Sequence, residues 1–376
     1  MFLKQIELKN FRNYRKVKLN FEKGTILVIG DNGQGKTNLL ESIYYLSSGK
    51  SHRATSQLEL INWNSSYFLI RAKAGNNEER LVEVQLSEDS NLKIRVDKIY
   101  QKRKSDFTNI IPSVIFNPDD LSLIKRGPSN RRDFMDEILE KTERGYTGLR
   151  AQYLKILSQR NSLVKSMAKK PKIGGSTFEV WNEKLAKYGT GVINARLKLL
   201  ESINRRFTEL MGHFFKASRA GLQYIPSWNR KQQKPLEKRL EILPTFERNL
   251  EANISRDLNL KTTTIGPHRD DLFIELGGRD IRTFGSQGQQ RIAALCLKLC
   301  ELFLLKEKLG KDPLFLLDDV LSELDMKRKK LLISLLDNKF QTFITTTNLS
   351  YIKDLDIDIS KSYRVEGGNL FETGSF

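Results

Sequence analysis

Residues 30 to 37 read Gly30-Asp31-Asn32-Gly33-Gln34-Gly35-Lys36-Thr37 and directly follow an apolar run, Ile26-Leu-Val-Ile29. The pattern G-x-x-x-x-G-K-[ST] after a buried strand is a phosphate-binding loop, and it constrains the fold more than any other feature here. Glycines let the backbone curl so that its N–H groups converge on an anion. In such a loop Lys36 reaches the β/γ oxygens of a nucleotide and the Thr37 hydroxyl sits on Mg²⁺. The next segment, Asn38 to Leu46, places Leu39, Leu40, Ile43 and Leu46 on one helical face. That helix points its N-terminus, and half a positive charge, at the same phosphates. A strand, a loop and a helix in this order predict an α/β fold. They make Gly30 through Asn38 the expected ATP-binding set.

A second half-site lies far down the chain. Leu314-Phe-Leu-Leu317 runs into Asp318-Asp319, an apolar strand ending in two carboxylates. In the Walker B arrangement the first acid, Asp318, holds Mg²⁺ and the second, Asp319, orients and deprotonates the attacking water. Before it stands Ser286-Gln-Gly288-Gln289-Gln-Arg291, opening an apolar helix from Ile292 to Leu305, and after it Ser322-Glu-Leu-Asp325.

These elements, in this order, resemble the ABC class of ATPases. Ser286-Gln-Gly288-Gln289 looks like its signature motif and Ser322-Glu-Leu-Asp325 like its D-loop. The resemblance implies that Ser286, with Gln289 beside it, acts in trans on the γ-phosphate held by an opposite subunit. A serine at a helix N-terminus suits that task, because unpaired N–H groups and the helix dipole favour an anion. One chain carries one loop and one signature, so the expected assembly is an ATP-dependent homodimer.

The stretch between the two half-sites selects the relative. Leu81 to Leu86 and Leu92 to Val96 alternate as strands do. From about Arg131 to Leu258 the pattern turns helical and charged, with Pro171, Gly174-Gly175, Pro226, Pro235 and Pro244 preventing a long coiled coil. Leu8-Lys-Asn-Phe-Arg12-Asn13-Tyr14, Gly49-Lys-Ser51-His52-Arg53, Phe116-Asn-Pro118-Asp119-Asp120-Leu121, Lys125 to Asp136, and Thr264-Ile-Gly-Pro267-His268-Arg269-Asp270-Asp271 complete the set. Together they resemble the bacterial RecF recombination-repair family over nearly the whole chain. The first motif would bring Arg12 to the edge of the nucleotide pocket. Two departures from general ABC practice are visible: the second acid is Asp319 and not Glu, and Thr345-Thr346-Thr347 stands where transporters carry a switch histidine. A shorter carboxylate and no histidine imply slow hydrolysis.

The chain carries 64 Lys and Arg against 45 Asp and Glu, a formal charge of +19. Such an excess favours a polyanion, nucleic acid first; Lys102-Arg-Lys104, Arg205-Arg206 and Arg230-Lys231-Gln-Gln-Lys234 are among its clusters. Cys296 and Cys300, four apart on one helix, read as small buried residues in a reducing cytoplasm. No apolar stretch reaches membrane-spanning length. Of the three histidines, His52 suits phosphate, DNA or plain surface, and His268 a catalytic or a structural hydrogen-bonded role.

The expected architecture is an ABC/SMC-like α/β head with a mostly parallel core and an inserted helical lobe. Its expected domains are residues 1–118 and 256–376 for the head and 119–255 for the lobe. The resemblance implies ATP-dependent DNA binding in recombinational gap repair, recombinase loading at single-strand/double-strand junctions with RecR and RecO, replication restart and SOS support. It also implies a cytoplasmic, weakly DNA-stimulated ATPase. Three rivals fit less well. A transport ATPase lacks so large a lobe, an SMC tether needs long arms, and an overcoming-lysogenization-type nuclease needs a further metal-binding domain after Asp325.

Overall fold

The structure, a computed structural model, describes the chain apart from residues 77, 103–106, 170–174, 216–218, 230–234, 237–240, 338, 353–354, 356 and 374–376. Arg103, Lys104, Arg230, Lys231 and Lys234 of the basic clusters, and Pro171 and Gly174, lie outside the described residues. Packing divides the chain into two compact units, Met1–Asp120 with Lys298–Phe376, and Leu121–Leu297.

The first unit holds two six-stranded sheets. In one, the strand order is β15 (Asn369–Thr373), β14 (Ile359–Glu366), β3 (Thr25–Ile29), β13 (Thr342–Thr346), β12 (Leu314–Asp318) and β8 (Ser113–Phe116). Every pairing is parallel except the edge hairpin β14–β15. β12 and β13, in the middle of the sheet, are buried at every residue, as central parallel strands covered on both faces must be, and the edge strand β8 is buried too. β3 pairs with β13 on one side and β14 on the other, so the strand leading to the phosphate loop is locked between C-terminal strands. Gln341 adds a side-chain tie: it accepts from the Leu3 amide at 2.7 Å and donates to the carbonyls of Leu3 and Glu22.

The other sheet is a fully antiparallel meander flanked by its first hairpin: β2 (Tyr14–Asn20), β1 (Phe2–Phe11), β4 (Tyr67–Gly75), β5 (Glu79–Ser87), β6 (Leu92–Val96) and β7 (Ile99–Gln101). Its strands alternate as half-buried strands do. Ile6, Leu8, Val17, Leu19, Ile70, Ala72, Val82, Val84, Ile94 and Val96 turn to the core, and the intervening residues face outward. Helix α1 (Lys36–Ser48) packs against strands of both sheets. Its Leu39, Leu40, Ile43 and Leu46, one stripe in the sequence, are all buried, and Tyr45 meets Phe68 edge-on.

The second unit contains α2 (Ser122–Lys125), α3 (Pro128–Thr142), α4 (Tyr146–Lys169), α5 (Gly175–Phe215), α6 (Ile242–Ala252), α7 (Ile254–Leu260) and α8 (Ile281–Phe284). It also contains a small antiparallel sheet, β9 (Ala220–Ile225), β10 (Asp271–Leu276) and β11 (Arg279–Asp280). α4 packs on α5, and with 24 residues against 41 no long coiled coil forms. Two features differ from the expected layout. A strand, β9, interrupts the stretch read as helical, its period-two burial too short to stand out. Residues 256–297 also fall within the second compact unit: β10 pairs with β9 along its whole length, and Arg160 and Arg131 reach Asp257 and Asp271. Such long-range ladders and buried ion pairs leave no local sequence signature.

Arg160 is the largest fully buried side chain. It donates to Asn182, Asp257 and Thr263 at 2.7 Å each and stacks on Phe178. Asp257 in turn accepts from the Thr264 amide and hydroxyl. Asp257→Ala strands a buried guanidinium, so it should destabilise the second unit by about 3–5 kcal/mol. Urea unfolding should show this as an earlier transition, and an unchanged midpoint would refute a structural role for the pair.

Candidate functional site

The loop from Gly30 to Gly35 leaves the C-terminal end of β3 and becomes α1 at Lys36. Gly35 is the helix N-cap with φ 127°, a conformation L side chains rarely adopt, and a Cβ there would lie 2.7 Å from Asn13. No side chain caps the helix and no acid occupies its first turn, so its leading N–H groups and dipole remain for an anion. Asp31, Asn32 and Gly33 are exposed, Gly30, Gln34, Thr37 and Asn38 half-buried, and Gly35 and Lys36 buried.

The loop is gripped from outside by the turn between β1 and β2. Asn13 Nδ2 donates to the Gln34 carbonyl at 2.7 Å, and the Tyr14 hydroxyl to the Gly35 carbonyl at 2.7 Å. Asn38 Nδ2 donates to Asn13 Oδ1 at 2.9 Å. From the other side, the amides of Gly367 and Gly368, in the β14–β15 turn, donate to Gln34. A Cβ on Gly368 would lie 2.5 Å from the Asn13 carbonyl oxygen, so only glycine lets the two turns meet.

Arg12 lies beside this grip, itself in the left-handed region at φ 50°. Its guanidinium donates to both oxygens of buried Glu41 at 2.9 and 2.8 Å and to the Glu59 carbonyl. Burial works against the Glu41 charge, yet Arg12 and the Ser51 hydroxyl outweigh it and hold the carboxyl below its usual range. Arg53 donates to Asn38 Oδ1 at 3.2 Å. His52 stands edge-on to Tyr44, its ring nitrogens buried without a hydrogen-bond partner, and burial keeps it neutral to lower pH than usual.

The paired acids end β12, one strand removed from β3. Thr345, on the intervening β13, organises both: its hydroxyl donates to Asp318 Oδ1 at 2.7 Å and accepts from the Asp319 amide at 2.9 Å. The latter contact helps hold Asp319 at φ 53°, a strained conformation for a non-glycine residue. Asp319 Oδ1 is buried with no hydrogen-bond partner. Burial raises its pKa and Asp318 adds to this, while Lys36 opposes it. Burial likewise lowers the Lys36 pKa, with Asp319, Asp318 and Asp31 pulling the other way. Lys36 donates to the Gly30 and Asp31 carbonyls at 2.6 and 2.9 Å. An orphaned carboxylate oxygen beside a second buried acid is a donor set that suits a hard divalent cation.

The fold thus brings the loop, Lys36 and the two acids into one unit. Ser286 and Gln289 belong to the other, at the start of α9 (Gln287–Leu309). They form a reciprocal cap: the Gln289 amide donates to Ser286 Oγ at 3.3 Å and the Ser286 amide to Gln289 Oε1 at 2.8 Å. Ser286 is exposed, and its hydroxyl proton is left to donate elsewhere. Cys296 and Cys300 are buried and not disulfide-bonded. Sequence reasoning passes over Thr345 as anything but a missing histidine, and over the Asn13, Gly367 and Gly368 clamp; only the glycine pair signals a tight turn.

His268 resolves to a structural role. Its Nε2 lies 3.1 Å from the Thr263 carbonyl and must donate to it, so Nδ1 accepts from the Tyr153 hydroxyl at 2.5 Å. Both bonds fix the neutral ring.

Sheet order, a glycine-rich loop after a central strand and paired acids two strands away define the head of an ABC/SMC-type ATPase. The family model described as "RecF/RecN/SMC N terminal domain" matches residues 2–367. The Smc head domain with an extended coiled coil from Pyrococcus furiosus shares the fold, at TM-score 0.55 and 19% identity over 99% of this chain and 96% of that one. Within this class the chain belongs to the RecF family. It is 38% identical to the DNA replication and repair protein RecF of Natranaerobius thermophilus, covering 98% of this chain and 97% of the relative, and 36% identical to that of Clostridium novyi, covering 98% and 99%. The structure described as recombination mediator protein RecF-ATPrS in the RecFOR pathway superposes at TM-score 0.87 with 35% identity, over 99% of this chain and 98% of that one. Its RecF-ATP counterpart gives 0.86 with the same identity and coverage.

Burial lowers the His268 pKa from 6.5 to about 4. A base with a depressed folded pKa contributes stability that is fully present above pH 6.5 and lost as pH falls through about 4. That loss amounts to about 3 kcal/mol. His268→Gln should flatten this part of the profile, as read by urea unfolding at pH 7 and pH 4.5. Parallel profiles for the two proteins would refute the burial of a neutral ring.

Proposed function

We propose that this chain is an ATP-dependent DNA-binding protein of recombinational DNA repair, with ATP acting as a dimerisation switch. The observation that carries the reading is one unit holding a clamped phosphate loop, a buried lysine and an acid pair with an orphaned oxygen. Loop amides from Gly30 to Asn38 and the Lys36 ammonium take the triphosphate, and Arg12 shapes the edge of its pocket. Thr37 and Asp318 are the residues to hold Mg²⁺, which when bound supplies positive charge against the phosphate oxygens. Asp319, its proton affinity raised by burial and by Asp318, takes the proton of the attacking water on Oδ1. Ser286 uses its remaining hydroxyl proton toward the γ-phosphate of an opposite subunit, steadied by Gln289.

The excess of 19 positive charges supports DNA, duplex or junction, as the partner. The RecF relatives, described as DNA replication and repair proteins and in one case as a recombination mediator of the RecFOR pathway, support a repair role; we extend it to gap repair with RecR and RecO, recombinase loading, replication restart and SOS support in the cytoplasm. A short acid and no switch histidine support slow, DNA-stimulated hydrolysis. Anisotropy of labelled duplex with ATP, with ADP and without nucleotide tests the reading: ATP should tighten binding, and equal affinities would overturn the switch.

Lys36→Met should weaken ATP binding roughly 100-fold, since a charged hydrogen bond contributes about 1.5–3 kcal/mol. Asp319→Asn should keep ATP affinity and lower turnover by on the order of 10²–10⁴-fold, trapping a dimer. Calorimetry and light scattering read these outcomes; wild-type affinity in the first, or wild-type turnover in the second, would sink the assigned role. Ser286→Arg should bind ATP yet neither dimerise nor hydrolyse it, and ATP-driven dimers of that variant would refute action in trans.

A further inference from the structure

The outward face of the antiparallel sheet is ordered by register into two rows with different electrostatics. One row runs Lys18, Glu7, Arg71, Glu83, Arg95 and Tyr100 across all six strands. Its charges alternate and pair: Arg71 bonds Glu7 at 3.0 Å and Glu83 at 2.7 Å, and Arg95 stacks on Tyr100. The neighbouring row, two residues along each strand, runs Lys16, Lys9, Leu69, Gln85 and Lys93. It contains no acid. Lys9, Lys16 and Lys93 are exposed, and none makes an ion pair among the described residues. Lys9 and Lys16 stand directly opposite each other, a like-charge pair that costs stability in a sheet. The Tyr67 ring supports Lys9, its centroid 5.4 Å from the ammonium. At about 4.8 Å per strand the row extends about 19 Å. The charges of the first row are paired, and its neighbour keeps positive charge with no ion pair among the described residues, Asp89 feeling the Lys93 charge without bonding it.

We propose that this uncompensated row, Lys16–Lys9–Lys93, is a phosphate-binding track for duplex DNA on the outer face of the sheet. The assignment rests on the DNA-binding reading above and places part of that activity on named residues. A polyanion relieves the Lys9–Lys16 repulsion, for which the row itself holds no carboxylate. Backbone phosphates fit better than bases, because lysines on a sheet face position a duplex without reading its sequence.

The test replaces Lys9, Lys16 and Lys93 together by Gln in the full chain, beside a control with Lys155, Lys165 and Lys187 of the helical unit replaced by Gln. Both variants lose three exposed charges. Duplex affinity is measured by anisotropy across a salt series with ATP, together with ATP affinity by calorimetry and thermal stability. The track variant should show a log K against log salt slope shallower by about 2.7 and an affinity at 0.1 M salt lower by on the order of 10²-fold. ATP affinity should be unchanged and thermal stability equal or higher, while the control keeps most of its slope. Equal losses in the two variants, or an unaltered slope in the track variant, would overturn the track and leave DNA binding standing. A wild-type protein that binds no duplex at all would instead overturn the DNA-binding reading, and the track with it.

Discussion

The structure depends on one pairing: β3 is held between β13 and β14, strands drawn from the other end of the chain. Neither sheet edge of β3 can be satisfied locally, so the phosphate loop exists only once the termini have met. The Gln341 amide, bonded to backbone 338 and 319 residues away, seals the same junction where both partners are buried. Leaving those groups unpaired would cost about 1–3 kcal/mol each. Loop closure over such a separation is entropically costly, though only logarithmically so in length. A long inserted unit is therefore tolerable between two half-sites that must coincide.

The acid pair then depends on β13 through a single hydroxyl. Thr345 touches both acids, donating to one side chain and accepting from the other's backbone, so it fixes their relative setting. Asp319 pays for its place in backbone strain and in a carboxylate oxygen without a partner. Strain and unsatisfied polarity cluster where a site awaits a ligand, because the surrounding fold over-determines the geometry. A threonine there is a positioning group with one short reach. It orders the acids without offering a second titrating group.

Much of this was legible in the residues. The strand, loop and α1 stripe followed from period and glycine placement, and the apolar run into Asp318-Asp319 announced a buried strand ending in charge. What escaped had no local signal. β9 is six residues long, and its partner β10 follows only after α6 and α7. The placement of residues 256–297 in the second unit depends on Arg160 and Arg131 finding carboxylates more than ninety residues away. His268 looked open to either role until two hydrogen bonds fixed its tautomer. Thr345 was hidden because a threonine in a strand is ordinary, and only its neighbours make it otherwise.

The β1–β2 hairpin links the two faces of the antiparallel sheet in one piece of covalent chain. Its strands carry Lys9 and Lys16 outward, and its turn supplies Asn13 and Tyr14 to the phosphate loop. Two residues separate Lys9 from Arg12, whose guanidinium is locked to Glu41 on α1. A ligand on one side can influence the other only if it binds two hairpin positions with different affinity. The clamp makes such a difference physically available: a shift of Asn13 alters the carbonyl it holds at Gln34, and Gly368 leaves no slack on the opposite side. Coupling between polyanion and nucleotide would then be reciprocal, each changing the other's affinity by the same factor. The hairpin therefore joins Lys9 and Lys16 to the carbonyls of Gln34 and Gly35 within a single element.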